Sequence, residues 1–351
     1  MSSNNDYIDI RAFSSRPHLV IVGAGATVDS IPNGDKNGMR SSIMKGFVER
    51  LGFTSILSDT KIHFSSDNLE DIYSTLAEKD DCVNVRRHLE KSIFNYFSAF
   101  EIPDTITKYD LLVLSLTRKD CIASFNWDGL LVDAYRRMLQ ITDDLPVMLF
   151  LHGNVKVGYC TKCGNYGYHT YNCPQCHIPF SPSRLLFPVR HKNYNSDSFI
   201  RTQWEIFEDF LSRAAIVTIY GYSAPKTDAE AIDKLKNAFT RISQVRYFDQ
   251  VQIIERPGFN HNEISAAWED LSGHVHGHLK IEESFFDTYL AEFPRRSVEG
   301  YVKRNFTGWW GPSNKTFEKE RGTNYTLEEL SEYISPLLSS DPFDSLSLKT
   351  M

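Results

Sequence analysis

The chain has 351 residues, which is enough for one large domain or two smaller ones. Apolar residues make up 41 % and aromatic residues 13 %, ample for a packed core, and the formal net charge is −7. This charge argues against a general nucleic-acid binder, and no stretch approaches the roughly 20 apolar residues of a membrane span. Residues 1–17 are polar and lack the apolar segment of a secretory signal. We therefore predict a flexible N-terminal arm and a cytoplasmic protein that binds neither membranes nor nucleic acid.

Five short apolar runs predict the strands of an α/β fold. They lie at residues 18–22, 121–125, 147–151, 215–220 and 250–254. Helix-like segments separate the runs, a pattern typical of a parallel sheet with helices on both faces. A helical module is predicted at about 40–118, and a cysteine-rich knuckle at about 154–183. Beyond residue 260 the sequence predicts a helical C-terminal extension, residues 261–351.

The knuckle contains two Cys-x2-Cys pairs about ten residues apart, Cys160 with Cys163 and Cys173 with Cys176. Each pair forms a tight turn that aims two thiolates at a common point, so the spacing predicts one tetrahedral Zn²⁺. Four cysteine ligands leave no open position for water or substrate, and the predicted zinc is therefore structural. The alternative is a labile dithiol pair. Thiolate ligands also indicate a reducing compartment.

The first predicted strand ends in a glycine turn followed by a polar loop. Glycines at such a turn allow backbone N–H groups to approach a phosphate closely. The alternative is a plain strand–helix connection. The loop, residues 31–38, has no helical or strand periodicity and is long enough to fold over a ligand. The candidate ligand-binding residues here are Gly23, Ala24, Gly25, Ala26, Thr27, Pro32, Asn33 and Asp35.

Three other strand ends carry polar residues or glycine. Asn126 and Asp128 follow the second strand, and His152 follows the third. Gly221 and Ser223 follow the fourth. Ligands of open parallel sheets bind outside the carboxyl ends of the strands, so these residues are candidates for one site. Each has a structural alternative: Asp128 and Ser223 as helix caps, and His152 as a structural histidine.

In this order along the chain, the motifs resemble those of the sirtuin family. The matching segments are Gly23–Thr27, Asn126-x-Asp128, Leu151-His152-Gly153, the four knuckle cysteines and Gly221-Tyr222-Ser223. In that family a Rossmann-like domain binds NAD, and zinc and helical modules form a smaller domain. The resemblance implies an NAD-binding domain over residues 18–260. It implies NAD phosphates at Gly23–Thr27, nicotinamide ribose near Asn126 and Asp128, and adenosine near Gly221 and Ser223. It makes His152 the residue that acts on the ribose.

The chain also departs from the protein-deacylating sirtuins. Those follow the glycine turn with Gly-Ile-Pro-x-Phe-Arg-Gly, whereas residues 30–35 here read Ser-Ile-Pro-Asn-Gly-Asp. Residues 182–194, after the knuckle, show no recognisable peptide-binding segment. In these respects the chain looks more like divergent bacterial sirtuin-like proteins, several of which hydrolyse NAD as toxic effectors of antiphage defence.

Three functions follow from the resemblance. The first is an NAD hydrolase that releases nicotinamide and ADP-ribose, with His152, Asn126 and Asp128 as catalytic residues. The alternatives are an NAD-dependent protein deacylase and a non-catalytic NAD- or ADP-ribose-binding subunit. An unrestrained hydrolase would deplete the host's NAD, so we expect a separate sensor or regulatory protein and a homo- or hetero-oligomer. Trp309 and Trp310 are a candidate contact patch, with a buried aromatic anchor as the alternative.

Overall fold

A computed structural model describes most of the chain. The described residues are 13–41, 46–60, 62–64, 66–187, 197–223, 229–243, 250–268, 279–306 and 315–339. Trp309, Trp310, residues 1–12 of the predicted arm and residues 188–194 after the knuckle lie outside these ranges. Within them, no helix combines the length and apolar character that a membrane crossing requires.

A six-stranded parallel sheet forms the centre of the molecule, in the order β3-β2-β1-β7-β8-β9. The strands are β1 (His18–Val22), β2 (Cys121–Ser124), β3 (Val147–Phe150), β7 (Ile216–Tyr220), β8 (Gln250–Ile254) and β9 (Leu279–Glu282). Val22 pairs with Ser124 on one side and with Tyr220 on the other, so the carboxyl ends lie level. The chain winds outward from β1 in both directions. The strand order therefore reverses between β1 and β7, which is where open α/β sheets bind ligands.

Helices connect the strands and build the insertion between β1 and β2. They are α1 (Ala24–Ser30), α2 (Phe47–Arg50), α3 (Thr54–Asp59), α4 (Leu69–Ala77), α5 (Val83–Ser98), α6 (Lys108–Leu114), α7 (Leu130–Met138), α8 (Ser198–Arg213), α9 (Ala229–Ser243), α10 (His261–Ala267), α11 (Tyr289–Glu292), α12 (Ser297–Phe306) and α13 (Leu327–Ser339). Short 3₁₀ turns occur at Asp80–Cys82 and Phe285–Asp287. The parallel sheet with its helices confirms the α/β, Rossmann-like fold class.

The cysteine-rich segment forms a separate small sheet. Its strands are β4 (Val157–Tyr159), β5 (Tyr166–Tyr168) and β6 (Ser181–Pro182), with β4 in the middle and both pairings antiparallel. The strands are short, and the cysteine-containing turns lie between them. A module this small buries little apolar surface, so a bound metal is the expected source of its stability.

The described region beyond residue 260 contains the predicted helices, α10 to α13, and one strand that the sequence did not predict. Strand β9 extends the parallel sheet, with Val251 of β8 paired to Leu279. The sequence Leu-Lys-Ile-Glu carries no continuous apolar run because β9 is a half-exposed edge strand. Charged side chains are common on edge strands, where they discourage pairing with other chains. The search for buried apolar runs therefore could not predict this strand.

Residues near both ends of the described part of the chain pack onto the central domain. Phe13, within the predicted arm, stacks on Tyr301 of α12 with ring centroids 6.5 Å apart. At the amino end of β1, the buried His18 ring contacts Ser297 Oγ and Thr218 Oγ1, both at 2.7 Å. Burial lowers the pKa of His18 to about 3. A neutral histidine thus joins α12 to the sheet, and this part of the extension belongs to the folded domain.

Helix α13 also contributes to the main core, through Leu330 and Ile334. Ile334→Ala is expected to lower the free energy of unfolding by about 2–5 kcal/mol, because it leaves a cavity at a fully buried position. Leu338→Ala on the same helix is the control, because that side chain is 41 % exposed. Urea denaturation of both variants measures the difference. Equal stability of the two variants would show that α13 is not part of the cooperative core.

Candidate functional site

The glycine turn after β1 lies against the turn after β7, at the reversal of strand order. Gly25 N donates a hydrogen bond to Gly221 O at 2.9 Å. A Cβ atom at Gly23 would lie 2.5 Å from Gly221 O, and one at Gly221 would lie 2.2 Å from Ala26 N. Gly221 also has a φ of +62°. These glycines are therefore required for the close approach of two backbone turns, a role that the sequence did not indicate.

Thr27 connects the glycine turn to the next strand end. Its buried hydroxyl lies 2.9 Å from Asp128 Oδ2 and 2.7 Å from the Tyr109 hydroxyl. Burial raises the pKa of Tyr109 well above its ordinary value, and the charge of Asp128 adds to the effect. The phenol is therefore protonated at neutral pH. Tyr109 lies on α6 and had not been identified from the sequence.

Asn126 is held by its amide nitrogen. Asn126 Nδ2 lies 2.9 Å from Gly23 O, 3.1 Å from Thr27 Oγ1 and 3.1 Å from the Tyr109 hydroxyl. The side chain is 8 % exposed. The structure thus brings the predicted Asn126 and Asp128 together with the glycine turn into one hydrogen-bonded group.

Asp128 makes the helix-start contact that was its structural alternative, and it also contacts Thr27. Its Oδ1 accepts a hydrogen bond from Leu130 N at 3.1 Å, at the start of α7, while Oδ2 faces Thr27. Burial raises the pKa of this carboxyl group, and hydrogen bonds from Leu130 and Thr27 oppose the rise. Asp128 therefore holds the helix start and Thr27 in place, and its position suits an orienting role.

Asn154 is a second residue that sequence reasoning missed. Its Nδ2 donates to Asp128 O at 2.6 Å and to Asn126 O at 3.3 Å. Its backbone N donates to Ser183 Oγ at 3.1 Å, beside β6 of the knuckle. Asn154 thus links the loop after β2 to the cysteine-rich module. A polar residue directly after His152-Gly153 was the available signal.

His152 follows β3, the strand next to β2. Its ring meets Phe125 edge-on, with centroids 4.8 Å apart and planes at 85°. Phe125 in turn stacks on Tyr222, with centroids 4.2 Å apart. Gly153 follows with a φ of +76°, and a Cβ there would lie 2.0 Å from Arg184 O. The segment after the knuckle therefore lies directly on this turn and fixes the position of His152.

The polar loop after α1 is folded onto itself. Asp35 is buried, and its carboxylate accepts hydrogen bonds from Asn37 N, Met39 N and Glu101 N at 2.8–3.0 Å. These bonds pin the loop to the segment after α5, and the ligand-binding role of Asp35 stays a prediction. Pro32 and Asn33 are exposed on the same loop. Ser223 is exposed too, and residues 224–228 lie outside the described part of the chain.

Beside Asn126, Trp127 packs its ring on Phe97 and Phe187, with centroids 5.5 and 5.4 Å apart. These contacts join the second strand end to the helical module and to the segment after the knuckle. The aromatic residue between Asn126 and Asp128 was not identified from the sequence as part of the site. A large aromatic side chain at a strand end was the available signal.

The knuckle brings its four cysteine sulfur atoms within 4.8 Å of one another. The Cys163 and Cys173 sulfurs are 3.5 Å apart, and no disulfide joins the described cysteines. A tetrahedral zinc site with Zn–S bonds of about 2.3 Å places its sulfurs about 3.8 Å apart. The cluster therefore has the dimensions of a four-thiolate metal site, and all four predicted ligands belong to it.

The chain is similar to solved structures of Sir2 proteins, though at low identity. One is a Sir2 homologue in complex with NAD, with 14 % identity, 84 % of this chain and 93 % of that chain covered, and a TM-score of 0.36. Another comes from work on the mechanism and regulation of Sir2 enzymes, with 12 % identity, 94 % and 97 % covered, and a TM-score of 0.38. A third holds a deacetylated peptide and 3′-O-acetyl ADP-ribose, with 14 % identity, 85 % and 98 % covered, and a TM-score of 0.35.

Neither a protein-family model nor a curated protein sequence matches this chain.

Proposed function

We propose that the chain is an NAD hydrolase that releases nicotinamide and ADP-ribose. The observation that carries the proposal is the group formed by Thr27, Asn126 and Asp128 at the ends of β1 and β2, beside the reversal of strand order, with His152 at the end of β3. This is the place where an open α/β sheet binds a nucleotide, and it combines amide, carboxylate and imidazole groups. The departures of residues 30–35 from the deacylase motif favour hydrolysis over deacylation.

In the proposed reaction, the bond between ribose C1′ and the nicotinamide nitrogen breaks, and its electron pair leaves with nicotinamide. Positive charge develops on the ribose, as in glycoside cleavage. Water then bonds to C1′ and loses a proton to His152, the proposed general base. Asn126 holds the water or the ribose hydroxyls, and Asp128 orients Thr27 and the turn. Gly23–Thr27, with Pro32 and Asn33, would lie along the dinucleotide, and Gly221 and Ser223 near its adenosine half.

We propose that the four cysteines bind one structural Zn²⁺. Four thiolates complete its coordination, so the metal would take no part in the cleavage. Its role would be to hold the knuckle together. Through Ser183 and Asn154 it would also stabilise the loop after β2. A thiolate site suits a reducing compartment, which supports the proposed cytoplasmic location.

The proposed activity requires control, since an enzyme that depletes NAD without restraint would kill its cell. We therefore propose a role in bacterial antiphage defence, with activation by a separate sensor protein or by assembly into an oligomer. Oligomeric state should be measured together with activity, by light scattering on the sample that is assayed.

The test of the proposed function is incubation of the purified protein with NAD alone, with its genomic neighbours, and with an acyl-lysine peptide. Nicotinamide and ADP-ribose are followed by chromatography. We expect release from NAD without any peptide. Consumption of NAD only with the peptide, with formation of O-acyl-ADP-ribose, would establish the deacylase function instead. Binding of NAD without turnover in every assembly state would establish a non-catalytic binding subunit.

Gly25→Val is expected to abolish NAD binding. The new side chain would stand at the turn proposed to meet the phosphates, and its Cβ would lie 2.8 Å from Gly221 Cα. Calorimetry gives the affinity, and a thermal melt of the same sample reports whether the two turns still pack. Loss of binding with a near-normal melting temperature supports the ligand role. Unchanged affinity would show that the turn only connects β1 to α1.

A further inference from the structure

We propose that Tyr109 is a positioning residue that, together with Gly23 and Thr27, holds the Asn126 side chain so that its carbonyl oxygen faces the attacking water. The inference rests on the proposed NAD hydrolysis. It adds Tyr109 to the proposed site and states that the oxygen of the Asn126 amide, not its nitrogen, faces the water. Asn126 would then act as a hydrogen-bond acceptor toward the water, which donates to it. An acceptor at this point orients the lone pairs of the water toward C1′.

The orientation of the Asn126 amide follows from its contact with Gly23. A backbone carbonyl oxygen can only accept a hydrogen bond, so the Asn126 atom 2.9 Å from Gly23 O must be the amide nitrogen. Rotating the amide by 180° would place two oxygen atoms against each other at that distance. The nitrogen is therefore directed into the protein, toward Gly23, Thr27 and Tyr109. The carbonyl oxygen is the end that remains for the ligand side.

The hydroxyl groups of Thr27 and Tyr109 form a consistent chain of donors and acceptors. Thr27 donates to the Asp128 carboxylate and so offers lone pairs to its other neighbours. Tyr109 donates to Thr27 Oγ1 at 2.7 Å, and its own lone pairs then face Asn126 Nδ2 at 3.1 Å. Each bond in such a chain polarises the next. One N–H of the amide is directed at Gly23 O, and Tyr109 and Thr27 are the two acceptors near the other N–H, so Tyr109→Phe removes one of these two acceptors.

Tyr109 is itself held in a rigid setting. It is 1 % exposed and lies in the first turn of α6, where Thr107 and Asp110 form a capping box. Arg137 donates from Nε to Asp110 Oδ1 at 3.0 Å and from its Nη1 to Pro103 O at 2.8 Å. The helix start is thus anchored from α7. A hydroxyl on so firmly held a ring can fix the geometry of its neighbour.

The test is Tyr109→Phe, which removes only the hydroxyl, compared with Tyr333→Phe. Tyr333 lies on α13, remote in sequence from the site, and its hydroxyl bonds to the Thr316 backbone. For Tyr109→Phe we expect kcat for nicotinamide release to fall about tenfold, which corresponds to the loss of one hydrogen bond, with KM changed less than about twofold. ADP-ribose affinity should match wild type. Tyr333→Phe should leave all of these values unchanged.

A partition experiment separates positioning from a structural effect. In methanol-containing buffer, methanol competes with water for C1′ and yields O-methyl-ADP-ribose, nicotinamide and a proton. If Tyr109 orients the water through Asn126, Tyr109→Phe should raise the proportion of the methyl product. An unchanged proportion together with unchanged kcat would overturn the proposal. A matching loss of ADP-ribose affinity would overturn it too, because the ring would then be serving only the fold.

The orientation of the Asn126 amide can be tested without turnover. In protein labelled with ¹⁵N-asparagine, the Asn126 side-chain NH₂ signal, assigned by its loss in Asn126→Ser, should exchange slowly with water. Tyr109→Phe should speed this exchange. Exchange at the rate of an exposed amide in the wild type would overturn the inference. If NAD is not cleaved at all, the proposed function fails in the activity assay, while this measurement still decides the Tyr109–Asn126 relation.

Discussion

His152→Ala is expected to lower the rate of nicotinamide release from NAD by about 10²–10⁴-fold, the usual contribution of a general base. NAD affinity should change little, because a base acts mainly in the transition state. The protein should remain folded, because the backbone of this turn is held separately: His152 O accepts a hydrogen bond from Leu186 N at 2.9 Å. Initial rates and calorimetry at matched protein concentration measure the two effects.

The control for this variant is His88→Ala. The His88 ring also meets a phenylalanine edge-on, with 5.0 Å between the ring centroids of Phe53 and His88, but it lies in the helical insertion. Loss of an imidazole–phenylalanine contact is common to both variants, so only the chemistry at the strand end differs. Near-normal turnover in His152→Ala would remove the proposed mechanism. Equal losses in both variants would indicate a general effect on folding.

Asn126→Ala is also expected to lose cleavage, but for two combined reasons. It removes the acceptor proposed to hold the water, and it removes three contacts with Gly23, Thr27 and Tyr109. This variant therefore tests the cleavage step less specifically than His152→Ala does. A weaker affinity for NAD would not contradict the mechanism. Turnover near that of wild type would contradict it.

Cys173→Ser is expected to reduce the bound zinc from about one per chain to nearly none and to make the protein insoluble. Cys173 is fully buried, and its sulfur lies 3.5 Å from that of Cys163 and 3.3 Å from Cys176 N. Structural zinc contributes directly to the folding free energy of small modules, and β4 to β6 are too short to replace that contribution. Metal analysis by mass spectrometry and the soluble fraction after expression are the measurements.

Cys82→Ser is the matched control, since Cys82 is buried in the helical insertion outside the cysteine cluster. It should retain wild-type metal content. A chain that is free of metal and still folded would refute a structural role for zinc at the site formed by Cys160, Cys163, Cys173 and Cys176. Reversible disulfide formation between the pairs in such a sample would favour the dithiol alternative.

The amino-acid sequence by itself determined five of the six strands of the parallel sheet and the cluster of four cysteines. Strands β1, β2, β3, β7 and β8 are short runs buried nearly throughout, so their apolar character is visible without knowledge of their neighbours. The two cysteine pairs are local turns, and local spacing is enough to predict that their sulfurs converge. The residues at the strand ends could be predicted as one group because parallel strands end at the same edge.

The tertiary structure alone decided what each polar side chain contacts. Tyr109 and Thr27 are separated by 82 positions, and Asn154 and Asp128 by 26, so no local pattern could pair them. Asp35 and Glu101 are separated by 66 positions, so their hydrogen bond could not be predicted either. β9 has neither an apolar run nor a buried face to reveal it. Periodicity and spacing report burial and local turns, whereas hydrogen-bond partners across the fold depend on how the elements pack.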